Sequence, residues 1–373
     1  MVNVAWDITW SPKAPMSPKN LLTRTLKLAH PIIQAPLAGG GDTPALVAAV
    51  GDAGGLGFIG AAYLTPGQIA EAAAAVRRRT KRAFGINLFA PVAARDTEKD
   101  PAPAMRGVAP YYAELGLPPP DMPALPADGF DQQLSAALAS GAAAFSFTFG
   151  VLAPDVILSI KGAGMFVIGT ATTVDEAVAL ERAGVDAVVV QGAEAGGHRA
   201  TFTPDFEASM VGTMSLVPQT VDAVVVPVIA SGGIMDGRGI AAALALGASA
   251  VQLGTAFLTC SEAGIPDAYK TAILEAREHE TRLTRAFSGR PARGIVNRFM
   301  REVERCDADA ILPFPLQNAL TRPLRAAASK QGRAEFLSLW AGQGVRMARR
   351  ASAAELVTLL AEETEAAVRR LSA

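Results

Sequence analysis

Three histidines occur in the 373 residues, and one of them stands in a setting suited to chemistry. His198 follows the run Ala187-Val-Val-Val-Gln191-Gly-Ala-Glu194-Ala-Gly196-Gly197. The run begins as a buried strand, with small and β-branched residues and no polar interruption. Gln191 ends the apolar stretch, and two glycines then precede the imidazole. In a parallel α/β protein the carboxyl ends of the strands face the active site. A histidine just past such an end can give or take a proton near neutrality. Gly196 and Gly197 would let backbone approach a ligand closely. The competing reading is a histidine that only fills a loop. His30 precedes a proline at a strand start and reads as structural. His279, in Arg277-Glu278-His279-Glu280, reads as a solvated helix face.

The elements that must position His198 alternate along the chain. Ile32-Ile33-Gln34-Ala35-Pro36 reads as a first strand, and Thr43 or Asp42 caps the helix after it, with Pro44 near its first position. Further strands are expected at 56–60, 83–89, 145–150 and 165–169, the last followed by a capping box, Thr173-Val-Asp-Glu176. The run before His198 is the sixth. Val226-Pro-Val-Ile-Ala230-Ser231-Gly232-Gly233 is the seventh, with a helix over 236–246. Ala250-Val-Gln252-Leu253-Gly254-Thr255 is the eighth. Eight near-continuously apolar strands, each followed by a helix where one can be read, fit a parallel (β/α)8 barrel of the TIM type.

Two segments interrupt the repeat. Residues 91–129, rich in Pro and Ala, are too long for an ordinary loop. They form either a partly ordered cover over the active-site mouth or a mobile excursion. Residues 259–339, with a helix over 267–280, read as a small, mostly helical insertion after strand eight. The expected division is a barrel over 1–258, the insertion over 259–339, and a return segment over 340–373. The return segment closes with a helix opened by the box Ser352-Ala-Ala-Glu355.

Barrels of this kind bind phosphate with the loops after strands seven and eight. Here these are Ser231-Gly232-Gly233-Ile234 and Gln252-Leu253-Gly254-Thr255. No GxGxxG follows the first strand, so a single phosphate, on a substrate or a mononucleotide cofactor, is expected in place of a dinucleotide. A formal net charge of −1 excludes a nucleic-acid footprint and gives no support to a polybasic membrane surface. No signal peptide and no stretch of about 18 apolar residues can be read, so a cytoplasmic location is expected. Cys260 and Cys306 read as reduced thiols, and neither has metal-ligand spacing, so no metal is expected.

These motifs, in this order, resemble the nitronate monooxygenase family of FMN-dependent (β/α)8 barrels. The resemblance rests on Gln34-Ala35-Pro36-Leu37-Ala-Gly-Gly, Gly85-Ile-Asn87-Leu-Phe89, Glu194-Ala-Gly196-Gly197-His198-Arg199, Gly232-Gly233-Ile-Met-Asp-Gly-Arg238 and Ser288-Gly-Arg290-Pro-Ala-Arg293. The Glu-Ala-Gly-Gly-His core is its specific part. Ala200 stands where the family has glycine, and Leu37 where it often has methionine. The resemblance implies FMN contacts from Asn87, Gln191, Gly196, Gly197 and Gly232. It implies them equally from Gly233, Gln252, Leu253, Gly254 and Thr255, with Ala35, Pro36 and Leu37 as a wall along the flavin. His198 would be the catalytic base or the group that holds the nitronate. The implied reaction oxidises an alkyl nitronate, or a nitroalkane, with O2 to a carbonyl compound and nitrite. Two alternatives stand beside it: an FMN-dependent NAD(P)H reductase of quinones or enoyl thioesters, and a flavin- or phosphate-binding barrel without turnover. Arg290 and Arg293 either bind an anionic substrate or hold the insertion, and Trp340 and Gln343 stand where they could edge the pocket.

Overall fold

Apolar runs with both faces covered become parallel strands, and the pattern recurs along the whole chain. The computed structural model describes residues 21–91, 100–123, 129–203, 206–305 and 311–372. Its strands are β1 (Ile32–Gln34), β2 (Gly57–Gly60), β3 (Phe84–Phe89), β4 (Ala144–Thr148), β5 (Phe166–Ala171), β6 (Ala187–Gln191), β7 (Gly197–His198), β8 (Val228–Ser231), β9 (Ala250–Leu253), β10 (Thr281–Thr284) and β11 (Ala292–Ile295). Eight of them form one parallel sheet in the order β1-β9-β8-β6-β5-β4-β3-β2. An Ile33–Leu56 bridge joins β1 to the start of β2 and closes the sheet into a barrel. The inside is filled by Ile33, Phe58, Phe166, Ile168, Val189 and Ile229. It is a packed core with no pore.

Several helices of the outer ring start where a side chain caps them. Thr43 accepts from Leu46 N–H, Thr65 forms a full capping box with Gln68, and Asp236 accepts from the N–H groups of Arg238 and Gly239. The Ser352–Glu355 box opens the last helix, Ala353–Ser372, which packs against the helices Gly237–Ala245 and Pro44–Asp52 and completes the ring. One reading of a box is corrected. Thr173 does cap its helix, but Glu176 turns away from it. Its carboxylate takes hydrogen bonds from Thr172, Thr201 and the N–H groups of Phe202 and Thr203. It therefore ties the loop after His198 to the end of β5.

A second apolar cluster gathers residues of the helices Ala102–Glu114, Asp267–Glu275, Arg298–Val303 and Leu316–Gln331 around Phe287 and Phe336. The helix expected over 267–280 ends at Glu275. Glu280 folds back to accept from Arg277 N–H, so His279 sits in an exposed turn, off any helix face. The second cluster also contains an antiparallel sheet, β10-β11-β7, in which Ala292 pairs with His198 and Arg293 with Gly197. The described part of the 91–129 excursion joins this cluster: Tyr112 donates to the Leu320 carbonyl, and Glu114 pairs with Arg298 and Arg333. No helix among the described residues is long and apolar enough to cross a membrane. Cys260 is buried, which pushes its thiol up to about 12, and Cys306 lies outside the described residues.

Candidate active site

At the carboxyl ends of the strands lies a cavity of about 630 Å³. It is lined by His198 and by every residue implied to contact the flavin: Ala35, Pro36, Leu37, Asn87, Gln191, Gly196, Gly197, Gly232, Gly233, Gln252, Leu253, Gly254 and Thr255. Trp340 also lines it, whereas Arg290, Arg293, Gln343 and the described residues of the excursion do not.

Its chemistry divides between two ends. At the ends of β8 and β9 the backbone N–H groups of Gly232, Gly233 and Gly254 donate to no acceptor among the described residues. Gly232 and Gly233 hold φ of +117° and +71°, a left-handed region where a side chain would be strained. Successive N–H groups in such a turn form an anion-binding nest. Thr255 adds a hydroxyl, which accepts from Gly342 N–H at 3.0 Å and keeps its own proton to donate. At the other end, Asn87 Nδ2 donates to Ser146 Oγ at 2.9 Å, and its side-chain oxygen Oδ1 receives no donor among the described residues. A nest for one phosphate and strand-end amides for a polar ring suit a mononucleotide flavin.

His198 is held by the two-residue strand β7. Arg199 N–H donates to the Pro291 carbonyl at 2.8 Å, so the Ser288–Arg293 motif is the partner strand that carries the histidine. The Gln191 amide serves the same task. Its Nε2 donates to the His198 carbonyl at 3.0 Å, and its Oε1 accepts from Ala200 N–H at 2.9 Å. Gln191 lines the cavity and braces His198, and the second N–H of its amide stays free to donate. Gly196 is a glycine for a different reason than ligand approach: a Cβ there would lie 2.5 Å from Gly342 N, where the return segment crosses.

Arg290 and Arg293 hold the insertion to this loop. Arg290 donates to the carbonyls of Arg199 and Thr201 and lies 3.9 Å above the Phe149 ring, a cation–π contact. Arg293 donates to the Ala193 carbonyl at 3.1 Å. The imidazole sits among Phe149, Phe314 and Trp340, at ring distances of 6.0, 6.2 and 5.5 Å. Burial, with Arg290 and Arg325 nearby, pushes its pKa from 6.5 down to about 3. The ring is therefore neutral at physiological pH.

Asp42 moves the other way. It accepts from Leu37 and Gly60 N–H groups at 2.7 and 2.6 Å and pins the β1 loop to the end of β2, and burial raises it to about 6. The two groups give opposite pH slopes of stability. Between pH 6.5 and 3 the unfolded chain takes a proton at His198 that the folded chain refuses, so stability falls with falling pH. Between 3.8 and 6 Asp42 binds its proton more tightly when folded, so stability rises with falling pH. Urea midpoints at pH 7 and pH 5 should therefore show a smaller acid-side loss in His198→Asn than in wild type. An unchanged loss would mean that His198 titrates normally.

A sequence model of the nitronate monooxygenase family matches residues 19–363. The chain belongs to the nitronate monooxygenase family. A probable nitronate monooxygenase of Staphylococcus aureus strain Newman is 44% identical over 331 residues, 88% of this chain and 93% of that protein. Among solved structures, a nitroalkane oxidase from Streptomyces ansochromogenes is 43% identical, covering 94% of this chain and 99% of its own, with a TM-score of 0.87. FabK from Thermotoga maritima is 29% identical, covering 94% and 97%, with a TM-score of 0.74. As a nitronate monooxygenase family member the chain is an FMN-dependent oxidoreductase on a TIM barrel.

Sequence reasoning missed Tyr63, Ser146, Phe149, Asn318, Arg322 and Arg325, all of which line the cavity. The last three come from the helix Leu316–Gln331.

Proposed function

We propose that the protein oxidises alkyl nitronates with O2 to a carbonyl compound and nitrite, and that His198 serves neutral nitroalkanes as general base. The observation that carries this reading is the neutral, strand-held imidazole facing a cavity that also offers three unpaired N–H groups at the ends of β8 and β9. Gly232, Gly233, Gly254 and Thr255 would hold the phosphate of FMN. Asn87, Gln252 and the wall Ala35-Pro36-Leu37 would flank its ring system. Held there, FMN would supply the electron-transfer chemistry between substrate and O2.

The protein's part is to orient the substrate and move a proton. Ser288 Oγ accepts from Arg290 N–H and donates to the Arg290 carbonyl at 3.1 Å. With that proton given to the Arg290 carbonyl, we take the 2.8 Å contact with His198 Nε2 as a hydrogen bond donated by the ring. That tautomer leaves Nδ1 with the lone pair. A neutral nitroalkane can give its α-proton to Nδ1, and the nitronate so formed is an anion beside the new imidazolium. The ion pair offsets the burial that otherwise disfavours the charged ring. Phe149 and Trp340 keep water from the same space.

Two experiments test the reading. The purified protein should carry about one FMN per chain and consume O2 on addition of a nitronate, releasing nitrite. Bound FMN without nitronate-dependent oxygen uptake would leave a flavin-binding barrel, and fast anaerobic bleaching by NAD(P)H would favour a reductase. Separately, Ser288→Ala should lower kcat for neutral nitroalkanes about tenfold, the worth of one hydrogen bond, with FMN content unchanged. If kcat stays at the wild-type level, Ser288 does not set the tautomer.

A further inference from the structure

Arg77-Arg78-Arg79-Thr80-Lys81-Arg82 puts five cations into six residues, and all five are exposed. The run closes the helix Pro66–Arg79 and leads into β3, which begins at Phe84. It therefore lies at the amino-terminal ends of the strands, away from the cavity at their carboxyl ends. A helix C-terminus carries about half a negative charge, so one cation matches it and the others are in excess. The run sits on a tied frame. Thr80 is buried, and its hydroxyl donates to the Asp52 carboxylate and accepts from Arg82 N–H at 3.0 Å. Arg77 crosses Gly141 and donates to the Ser140 carbonyl, and Arg79 turns back to the Ala75 carbonyl at 3.1 Å. The side chains of Arg78, Lys81 and Arg82 have no hydrogen bond or ion pair among the described residues.

These residues enclose a hollow of about 470 Å³, walled by Asp52 and residues 77–82. Five cations face one carboxylate there, and that carboxylate already accepts from Thr80. Arginines elsewhere on the surface find carboxylates: Arg282 pairs with Glu304, Arg298 with Glu114 and Glu302, Arg333 with Glu114 and Glu335, and Arg346 with Glu278. Like charges held this close repel one another, and a bound anion relieves the repulsion. The hollow falls in the size range of small-molecule sites, about 300–1,000 Å³. No aromatic ring lines it, so a base has nothing to stack on. None of the exposed large apolar residues lies in it, so a membrane would gain no apolar insertion. The chain as a whole has a net charge of −1, so the surface beyond the hollow does not favour a long polyanion. Together these features select a compact anion of high charge.

We propose that this hollow binds a short polyphosphate chain, either inorganic tripolyphosphate or the phosphate end of a nucleoside triphosphate. Arg78 and Arg82 donate to its oxygens in pairs, and Lys81 adds a point charge. Arg77 and Arg79 keep their backbone contacts and contribute their field. Only the phosphates are read, so the site discriminates by charge and ignores the base. It lies at the opposite end of the barrel from His198 and stands whether or not the nitronate reading holds.

The test titrates the FMN-loaded protein, in which the N–H nest is filled, with tripolyphosphate, ATP, GTP and inorganic phosphate by calorimetry at low salt. Tripolyphosphate, ATP and GTP should bind about equally, and inorganic phosphate about tenfold more weakly or worse. The triple variant Arg78→Gln, Lys81→Gln, Arg82→Gln changes exposed positions where folding is not at stake. It should raise the Kd of tripolyphosphate about ten- to a hundredfold and leave FMN content unchanged. The double variant Arg369→Gln, Arg370→Gln removes an exposed basic pair from the last helix and should leave that Kd unchanged. No saturable binding of tripolyphosphate to wild type overturns the site. Equal weakening by the triple and double variants shows charge attraction without a site and overturns it too. Tighter binding of one nucleotide than of tripolyphosphate shows that a base is read, which contradicts the proposal. A single-stranded RNA that displaces tripolyphosphate and binds more tightly makes the surface a nucleic-acid site and likewise overturns it.

Discussion

His198→Asn should abolish turnover of neutral nitroalkanes and spare part of the turnover of preformed nitronates. Asparagine is close to the imidazole in reach and can donate a hydrogen bond, but it cannot take the α-proton. Losing a general base costs about 10²–10⁴-fold. A preformed nitronate has already lost that proton, so it forfeits only the contact. The strand pairing of residue 198 with Ala292 uses backbone, and Gln191 braces the same backbone. The substitution therefore leaves the loop in place, and FMN content should match wild type because the N–H nest lies on other strands. Stopped-flow reduction with nitroethane and with its nitronate separates the two effects. Equal loss on both substrates with flavin retained would falsify the base assignment and make His198 an anion-holding group. Wild-type rates on both would remove it from the mechanism.

The barrel was legible because each strand is a short apolar run and several of the ring helices start at a capping Thr, Asp or Ser. The mouth of the barrel was legible for the same reason: strand ends mark where Asn87, Gln191, Gly232 and Gly254 must lie. What escaped was non-local. β7 has two residues and no periodicity, so nothing at Gly197-His198 announces that its partner is residues 292–293, nearly a hundred positions on. The spacing of Thr173 and Glu176 fits a capping box, yet Glu176 goes to the 201–203 loop, and only the folded neighbours decide between the two. Arg290 and Arg293 looked as able to bind an anion as to brace the insertion, because their acceptors are distant carbonyls. The face of Leu316–Gln331 that lines the cavity was missed because Pro323 interrupts a run that otherwise keeps helical spacing.

Gly254→Asp should strip the protein of FMN, whereas Gly254→Ala should keep it. The position is chosen because its backbone tolerates a side chain: φ is −104°, and a Cβ would meet Ala35 and Leu37 only at 3.7 and 3.8 Å, ordinary contact. Gly232 would be a poorer probe, since φ there is +117° and a Cβ would lie 2.9 Å from Thr213 Oγ1, so folding and binding would fail together. At 254 an aspartate places a carboxylate at the cavity wall beside a nest of N–H groups suited to one anion. It competes for those donors and repels a phosphate. A like-charge juxtaposition costs several kcal/mol, on the order of a 10³-fold rise in Kd. Alanine adds no charge and should shift Kd by less than about tenfold. FMN released on denaturation and the Kd from fluorescence quenching of added FMN measure both. Circular dichroism of the aspartate variant should match wild type, because Gly254 lies outside the β1–β9 ladder, which pairs residues 32–34 with 251–253. If Gly254→Asp binds FMN as tightly as wild type, the phosphate does not sit at the β8–β9 end. The three unpaired N–H groups would then need another anion.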